Sequence, residues 1–207
     1  VLLTKPKIVL IGGPSGAGKT TLGRALASRL DGISIIADDW VPVARAITTP
    51  ESHPGLHLMN MPNSAEYYTN SPVEKLIADA IAQQEAIWPA IERVIRVRAS
   101  GDTPVVIDGW FMRPIQVAEL NFENVKSFWL NVDRIVLEER EQVLSKDLGQ
   151  SSNHEQMLKN FLGRSFWAND LIRTQAEQTG SNILHQDGSA SVEDLCDAVL
   201  GLIEDAG

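Results

Sequence analysis

The sequence predicts an α/β protein built on a mostly parallel sheet, and two observations support this fold class. Five short apolar runs alternate with segments of helical periodicity, at residues 7–11, 33–37, 104–107, 125–132 and 182–185. A glycine-rich turn also joins the first run to the first helical segment. Strands separated by helices need crossover connections, which place helices on both faces of a parallel sheet.

The helical segments are marked by spacing and by capping residues. Helices are predicted from Lys19 to about residue 30, from Ser71 onwards, after Asp133, over about residues 154–178, and from Ser191 to near residue 204. Ser71 and Glu74 match a capping box with proline at the first helical position. The Pro-rich segment from residue 40 to 70 has no clean period, and we expect a long substrate-side loop there.

Composition limits the classes of protein to which the chain can belong. It has 207 residues, a net charge of −9 and one cysteine, Cys196, and no segment resembles a targeting signal or a membrane span. The length fits a single domain over 1–207, and we expect a cytoplasmic protein, because one cysteine cannot form an internal disulfide. The negative charge argues against binding to nucleic acid or to an anionic membrane.

The turn after the first strand fits the phosphate-loop pattern G-x-x-x-x-G-K-[ST] in full, and it predicts binding of a nucleoside triphosphate. Glycines let backbone N–H groups surround the phosphates, and the following helix N-terminus adds positive potential. Lys19 is expected to reach the β- and γ-phosphates and Thr20 to bind Mg²⁺. The nucleotide-binding residues are therefore Gly13, Pro14, Ser15, Gly16, Ala17, Gly18, Lys19, Thr20 and Thr21.

Acidic residues follow two further strands, where ligands of parallel sheets collect. Asp108 is assigned to the metal together with Thr20. Asp38 is assigned as the base that accepts a proton from an incoming hydroxyl, and it binds the substrate together with Asp39 and Arg113. The alternatives are a helix N-cap for Asp38 or Asp39 and an ordinary surface arginine for Arg113.

These segments resemble the P-loop kinases of small molecules. Asp38-Asp39-Trp40 is similar to the acid-acid-aromatic segment of uridine and nicotinamide riboside kinases, and residues 106–111 are similar to the third strand of adenylate kinases, chloramphenicol phosphotransferase and 2-phosphoglycerate kinase. The resemblance implies a three-layer sandwich with a five-stranded parallel sheet of order 2-3-1-4-5. It also implies ATP and Mg²⁺ as cofactors, a substrate-binding insertion at about 40–71 and a mobile helical lid at about 145–178.

A lid arginine that closes over the transferring phosphoryl group would stabilise its charge and exclude water. Arg164 is the first candidate for this catalytic role, and Arg140 and Arg173 are the alternatives. Arg140 lies in Glu138-Glu139-Arg140-Glu141, which otherwise has the pattern of a solvated helix face with local ion pairs.

Two functions fit these observations. The first is an ATP-dependent kinase with Lys19, Asp38 and Arg164 as catalytic residues and a small hydroxyl compound as acceptor. The second is a P-loop NTPase or nucleotide-dependent switch without such an acceptor. The sequence leaves the acceptor open among nucleosides, sugar-like metabolites and antibiotics, and it leaves the oligomeric state open between monomer and homodimer.

Overall fold

The computed structural model describes residues 6–205, which fold around a five-stranded sheet. The strand order is β2-β3-β1-β4-β5 and every strand pair is parallel, as predicted. The strands are β1 (Ile8–Gly12), β2 (Ile33–Ile36), β3 (Val105–Gly109), β4 (Val125–Val132) and β5 (Asn182–Gln186). The carboxyl ends of β1, β2 and β3 therefore lie at the same edge, with Ile36 and Ile11 each paired in register with Asp108.

Nine helices connect and cover the strands within residues 6–205. Their bounds are α1 (Lys19–Arg29), α2 (Trp40–Ala46), α3 (Pro54–His57), α4 (Ser64–Asn70), α5 (Val73–Ala99), α6 (Pro114–Ala118), α7 (Arg134–Leu144), α8 (His154–Thr179) and α9 (Val192–Asp205). Short 3₁₀ turns precede α2 and follow α7. In this described part of the chain, no helix is long and apolar enough to cross a bilayer.

Alternation along the strands divides the core between the two faces of the sheet. Ile8 and Leu10 of β1 pack with apolar residues of α5 and α8, whereas Val9 and Ile11 pack with those of α1, α7 and α9. This alternation follows from the two-residue period of a strand. The three-layer arrangement therefore requires strands that are apolar on both faces, which explains the uninterrupted apolar runs.

The segment from residue 40 to 70 is more regular than its sequence suggests. It folds into the short helices α2, α3 and α4, and Arg45 connects α2 to α3 by donating to the carbonyl oxygens of Leu56 at 2.6 Å and Leu58 at 2.7 Å. His57 pairs with Thr48 at 3.0 Å, so this histidine contacts the segment itself. The expectation of a non-periodic loop was wrong, because helices of four to seven residues are too short to show a period.

Two helix starts differ in how they are capped. At α9, Ser191 and Asp194 exchange bonds as in a capping box, with Asp194 N–H donating to Ser191 Oγ at 3.1 Å. At α5 the predicted box does not form, because Pro72 occupies the N-cap position and no side chain caps the helix. The proline then determines the helix start, since its fixed φ and missing N–H suit the position.

Helix α8 lies on the sheet next to β4, and one asparagine fixes it there. Asn169 Oδ1 accepts from the Val132 N–H at 2.9 Å, and Asn169 Nδ2 donates to the Val132 carbonyl at 2.8 Å. Residues 154–179 thus form one helix that packs against α4, α5, α6, α7 and β4. Of the segment predicted as a mobile lid, only residues 145–153 lie outside this helix.

Candidate active site

The phosphate loop lies between β1 and α1, as the motif requires. Gly16 has φ +69° and Gly18 has φ +88°, values that suit glycine because a Cβ would be strained there. Gly18 is also the residue before the first turn of α1, so loop N–H groups and the helix terminus face the same space. This geometry suits an anion such as a phosphate group.

Lys19 is buried at this loop, and its Nζ donates to the Pro14 carbonyl at 2.8 Å. Burial lowers the pKa of Lys19, while the nearby carboxylates of Asp38, Asp108 and Glu141 oppose that shift. The lysine is therefore surrounded by acids and held by a loop carbonyl. A phosphate oxygen is a stronger partner for an ammonium group than a carbonyl, so the loop is ready to exchange one for the other.

Asp108 and Thr20 meet behind the loop. Thr20 Oγ1 donates to Asp108 Oδ1 at 2.7 Å, and Asp108 Oδ2 is buried without a hydrogen-bond partner. Burial raises the pKa of Asp108, against the bond from Thr20 and the charge of Lys19. Gly23 of α1 leaves room for this carboxylate, because a Cβ there would lie 3.1 Å from Oδ2.

A hydroxyl and a carboxylate with an unpartnered oxygen are oxygen donors of the kind Mg²⁺ prefers. Two protein ligands are few, and within residues 6–205 no group of three or more His, Cys, Asp or Glu side chains is placed to hold a metal. This donor set fits a magnesium ion that keeps water and phosphate oxygens as its remaining ligands.

Asp38 follows β2 and faces the end of β3. Its Oδ1 accepts from the Trp110 N–H at 2.9 Å, and burial raises its pKa, opposed by Lys19 and by this backbone bond. Gly109 makes the approach possible, since a Cβ there would lie 2.9 Å from Asp38 Oδ1 and 3.0 Å from Ala37 Cβ. In the sequence Asp108-Gly109-Trp110, the first residue supplies the carboxylate that binds Thr20 and the second leaves space for Asp38. The third supplies the N–H group that orients the Asp38 carboxylate.

We expect Gly109→Ala to displace Asp38 and to lower both stability and turnover. Overpacking at a buried site costs about 1–3 kcal/mol of unfolding free energy, and an ångström of misplacement at a reacting group costs about 100-fold in rate. Gly201→Ala is the control, because nothing lies within 4 Å of a Cβ there and a helical alanine stabilises by about 1 kcal/mol. Denaturant unfolding measures the stability, and an unchanged midpoint for Gly109→Ala would contradict the packing argument.

Two cavities adjoin the phosphate loop and share Gly16 and Lys19. The first has a volume of 470 Å³ and the second has 200 Å³. Gly16, Gly18, Lys19, Thr20, Thr21, Arg140, Val143 and Leu144 line the first. Ser15, Gly16, Lys19, Asp38, Trp110 and Arg164 line the second. The loop lysine therefore lines both cavities, and the candidate base Asp38 lines the second one.

Arg140 lies beside the phosphate loop rather than in a surface ion pair. Its Nη1 donates to the Gly16 carbonyl at 3.2 Å, and its side chain lines the larger cavity. The interpretation of residues 138–141 as a solvated face was therefore wrong for Arg140. Arg173, the third lid candidate, is half-exposed and contacts Asp170 at 3.8 Å and Glu177 at 3.6 Å on its own helix.

Asp39 and Arg113 do not line the smaller cavity. Asp39 is exposed and is not among the residues that line either cavity. Arg113 is half-buried and contacts Glu85 at 3.4 Å. Their assignment to substrate binding stays a prediction, and the residues that join Asp38 at the cavity are instead Trp110 and Arg164.

Glu141 is a site residue that sequence reasoning missed. It is fully buried beside the loop, its Oε1 accepts from Ser165 Oγ at 3.1 Å, and its Oε2 has no partner. Burial raises its pKa, opposed by the charges of Arg164 and Lys19. One signal was available: Glu141 is four residues after the buried Leu137, so the two lie on the same inward face of α7.

Arg164 is buried in the wall of the smaller cavity, with 6% of its surface exposed. Its guanidinium carbon lies 4.9 Å from the ring centroid of Trp110, 5.0 Å from Tyr68 and 5.2 Å from Phe161. Nη1 donates to the Tyr68 hydroxyl, whose pKa is raised by burial. The sequence placed Arg164 at the site on a mobile lid; the structure places it at the cavity among three aromatic rings, and the lid movement stays a prediction.

The phosphate loop, the acids at the ends of β2 and β3, and the sheet order define the class of P-loop proteins with the small-molecule kinase fold. The chain is similar over 97% of its length to shikimate kinase from Acinetobacter baumannii in complex with shikimate. That comparison gives a TM-score of 0.57 at 18% identity and covers 94% of the kinase chain. The resemblance to the P-loop kinase superfamily is confirmed.

Curated relatives that are similar in sequence include a transferase and a kinase. A tRNA dimethylallyltransferase of Desulfitobacterium hafniense is 32% identical over 132 residues, which is 60% of this chain and 40% of the relative. A 2-phosphoglycerate kinase of Pyrococcus furiosus is 32% identical over 110 residues, which is 53% of this chain and 36% of the relative. The chain thus spans less than half the length of each of these relatives, and no family model matches it.

Proposed function

We propose that this chain is an ATP-dependent phosphotransferase that moves the γ-phosphoryl group to a hydroxyl of a small metabolite. The observation that carries the proposal is the pair of cavities that meet at Lys19, with Asp38 in the smaller one. A nucleotide with its phosphates on the loop would occupy the larger cavity. An acceptor in the smaller cavity would then face both the terminal phosphate and a carboxylate.

The donor side uses the phosphate loop. Loop N–H groups bind the phosphates, and Lys19 leaves the Pro14 carbonyl to neutralise charge on the β- and γ-phosphates. Thr20 and Asp108 would hold Mg²⁺, which would neutralise negative charge on the phosphate oxygens. Arg140 supplies a further positive charge next to Gly16, in the lining of the larger cavity.

On the acceptor side, Asp38 receives a proton. The acceptor hydroxyl donates a hydrogen bond to the Asp38 carboxylate, its oxygen forms a bond to the γ-phosphorus, and the bond from that phosphorus to the ADP oxygen breaks. The hydroxyl proton goes to Asp38. The Trp110 N–H bond keeps the other lone pairs of Oδ1 oriented for this role.

The names of the similar proteins support a kinase more than they identify its substrate. Shikimate kinase and 2-phosphoglycerate kinase are phosphotransferases by name, whereas tRNA dimethylallyltransferase transfers a different group to a nucleic acid. A net charge of −9 is unfavourable for a tRNA acceptor, and a 200 Å³ cavity suits a small molecule. We therefore propose a small-molecule partner in preference to nucleic acid.

The test is a screen for acceptor-dependent ADP release with ATP and Mg²⁺. The panel contains nucleosides, sugars, hydroxy acids and hydroxylated antibiotics, and each acceptor is also assayed with Lys19→Ala. We expect at least one compound to raise ADP release above the acceptor-free rate and to appear as its phosphorylated product. Steady hydrolysis that no acceptor changes would favour the alternative, an NTPase or nucleotide-dependent switch.

A further inference from the structure

In the described part of the protein, no carboxylate contacts the charged guanidinium of Arg164. Within residues 6–205, no carboxylate oxygen lies within 4.0 Å of its nitrogens. Its Nε is buried without a partner, and the Tyr68 hydroxyl is the acceptor that Nη1 reaches. A buried cation without an ionic partner is costly, so the arrangement needs a compensating interaction.

The aromatic rings supply part of that compensation. Tyr68, Trp110 and Phe161 each place a ring within 5.2 Å of the guanidinium carbon, in the range for cation–π attraction. Glu141 contributes at longer range, since its charge and that of Arg164 interact. Rings attract the cation but accept no in-plane hydrogen bonds, so donors of the guanidinium stay available at the cavity.

The position of Arg164 decides what those donors can bind. The residue lines the same 200 Å³ cavity as Asp38 and Lys19, on the acceptor side of the loop. A planar guanidinium binds carboxylate and phosphate groups through paired N–H bonds, which a hydroxyl group alone cannot accept in that geometry. The cavity is also smaller than a typical site for a drug-sized ligand, so the hydroxyl and the anionic group lie on one small molecule or one small end of it.

We propose that Arg164 is a fixed anchor for an anionic group of the acceptor, so that the acceptor is a small hydroxylated carboxylate or phosphate ester. This inference rests on the proposed phosphotransfer function for the presence of a hydroxyl. The anion site itself is argued from the burial, the aromatic contacts and the cavity of Arg164. The guanidinium holds the anionic end while Asp38 faces the hydroxyl, and both ends are thus oriented before transfer.

Binding of matched pairs tests the proposal, with ADP and Mg²⁺ present to occupy the phosphate loop. The probes are glycerate against glycerol, gluconate against glucose and glucose 6-phosphate against glucose, measured by calorimetry on the whole chain. We expect at least one anion to bind and its neutral partner to bind at least about 30-fold more weakly, as for loss of a charged hydrogen-bond pair. Equal binding within every pair, or no binding of any anion, would overturn the proposal.

Variants locate the interaction at Arg164. In Arg164→Gln, the affinity for the anion should fall by the same factor, and the affinity for ADP should be unchanged. Arg164→Lys should keep part of the anion affinity, because it retains the positive charge but not the paired N–H donors of the guanidinium. Arg98→Gln is the control, because Arg98 is exposed in the last turn of α5, and it should bind like the wild type. If Arg164→Gln does not fold, Arg164→Lys decides: full wild-type affinity for the anion in that variant would contradict a paired guanidinium bond.

The result is separable from the proposed function. If anion binding depends on Arg164 but the protein shows no acceptor-dependent release of ADP, the anion site is supported and the proposed phosphotransfer is contradicted. If neutral acceptors stimulate ADP release as strongly as anionic acceptors, the phosphotransfer is supported and the role of Arg164 as an anion anchor is contradicted.

Discussion

Lys19→Ala is expected to reduce nucleotide turnover at least about 100-fold without unfolding the protein. Lys19 belongs to the phosphate loop and is the one side chain that lines both cavities. Its loss removes positive charge from the place where the γ-phosphate is expected to lie. Burial disfavours its ammonium form and outweighs the attraction of the nearby carboxylates, so we expect the fold to persist without this side chain. Steady-state ADP release and thermal unfolding measure the two effects.

Lys126→Ala is the matched control for that experiment. Lys126 lies near the start of β4, at the amino ends of the strands, whereas the phosphate loop follows the carboxyl end of β1. The Lys126→Ala variant should therefore keep wild-type turnover. Turnover by Lys19→Ala at the wild-type rate would exclude the phosphate loop as the donor site.

Asp38→Asn should keep ATP binding and lose phosphoryl transfer by about 100- to 10,000-fold, the range for removal of a general base. Asparagine keeps the size of the side chain and can still accept from the Trp110 N–H, so the local structure should persist. Asp102→Asn is the control, since Asp102 is exposed and pairs with Lys7 away from the loop. Single-turnover transfer to the best acceptor is the measurement.

The pH dependence of transfer provides a second test of Asp38. Burial raises the pKa of this carboxyl above its ordinary value of 3.8, with Lys19 opposing the shift. The base acts when it is ionised, so activity is full above that raised pKa and declines as the pH falls through it. We expect the acidic limb of the kcat/KM profile to lie at higher pH than for an exposed aspartate, and to be missing in Asp38→Asn. A wild-type limb that persists in the variant would assign it to another group.

The sheet and the phosphate loop were predictable because their signals are local. Five apolar runs gave the strands to within one or two residues at each end, and the loop motif places its glycines at positions that need positive φ. The order β2-β3-β1-β4-β5 followed from the resemblance to small-molecule kinases, since strand runs alone do not determine it.

The acceptor side was less predictable because it is assembled from distant segments. Tyr68, Trp110 and Arg164 come from α4, the end of β3 and α8, and no spacing in the sequence connects them. Glu141 was hidden in a charged run in which Glu138 and Glu139 are exposed. A buried acid at the 3–4 residue spacing of apolar positions is the one local sign of such a residue, and it is easily mistaken for part of a polar face.

The bond pair between Asn169 and Val132 has a consequence for the acceptor site. Asn169 lies five residues after Arg164, about 7.5 Å along the helix axis, and its amide occupies the backbone groups at the end of β4 as a neighbouring strand would. It therefore sets how deeply α8 inserts beside the phosphate loop. In the proposed site, the Asn169 side chain touches neither nucleotide nor acceptor. By fixing the position of α8, it determines the distance between Arg164 and Asp38.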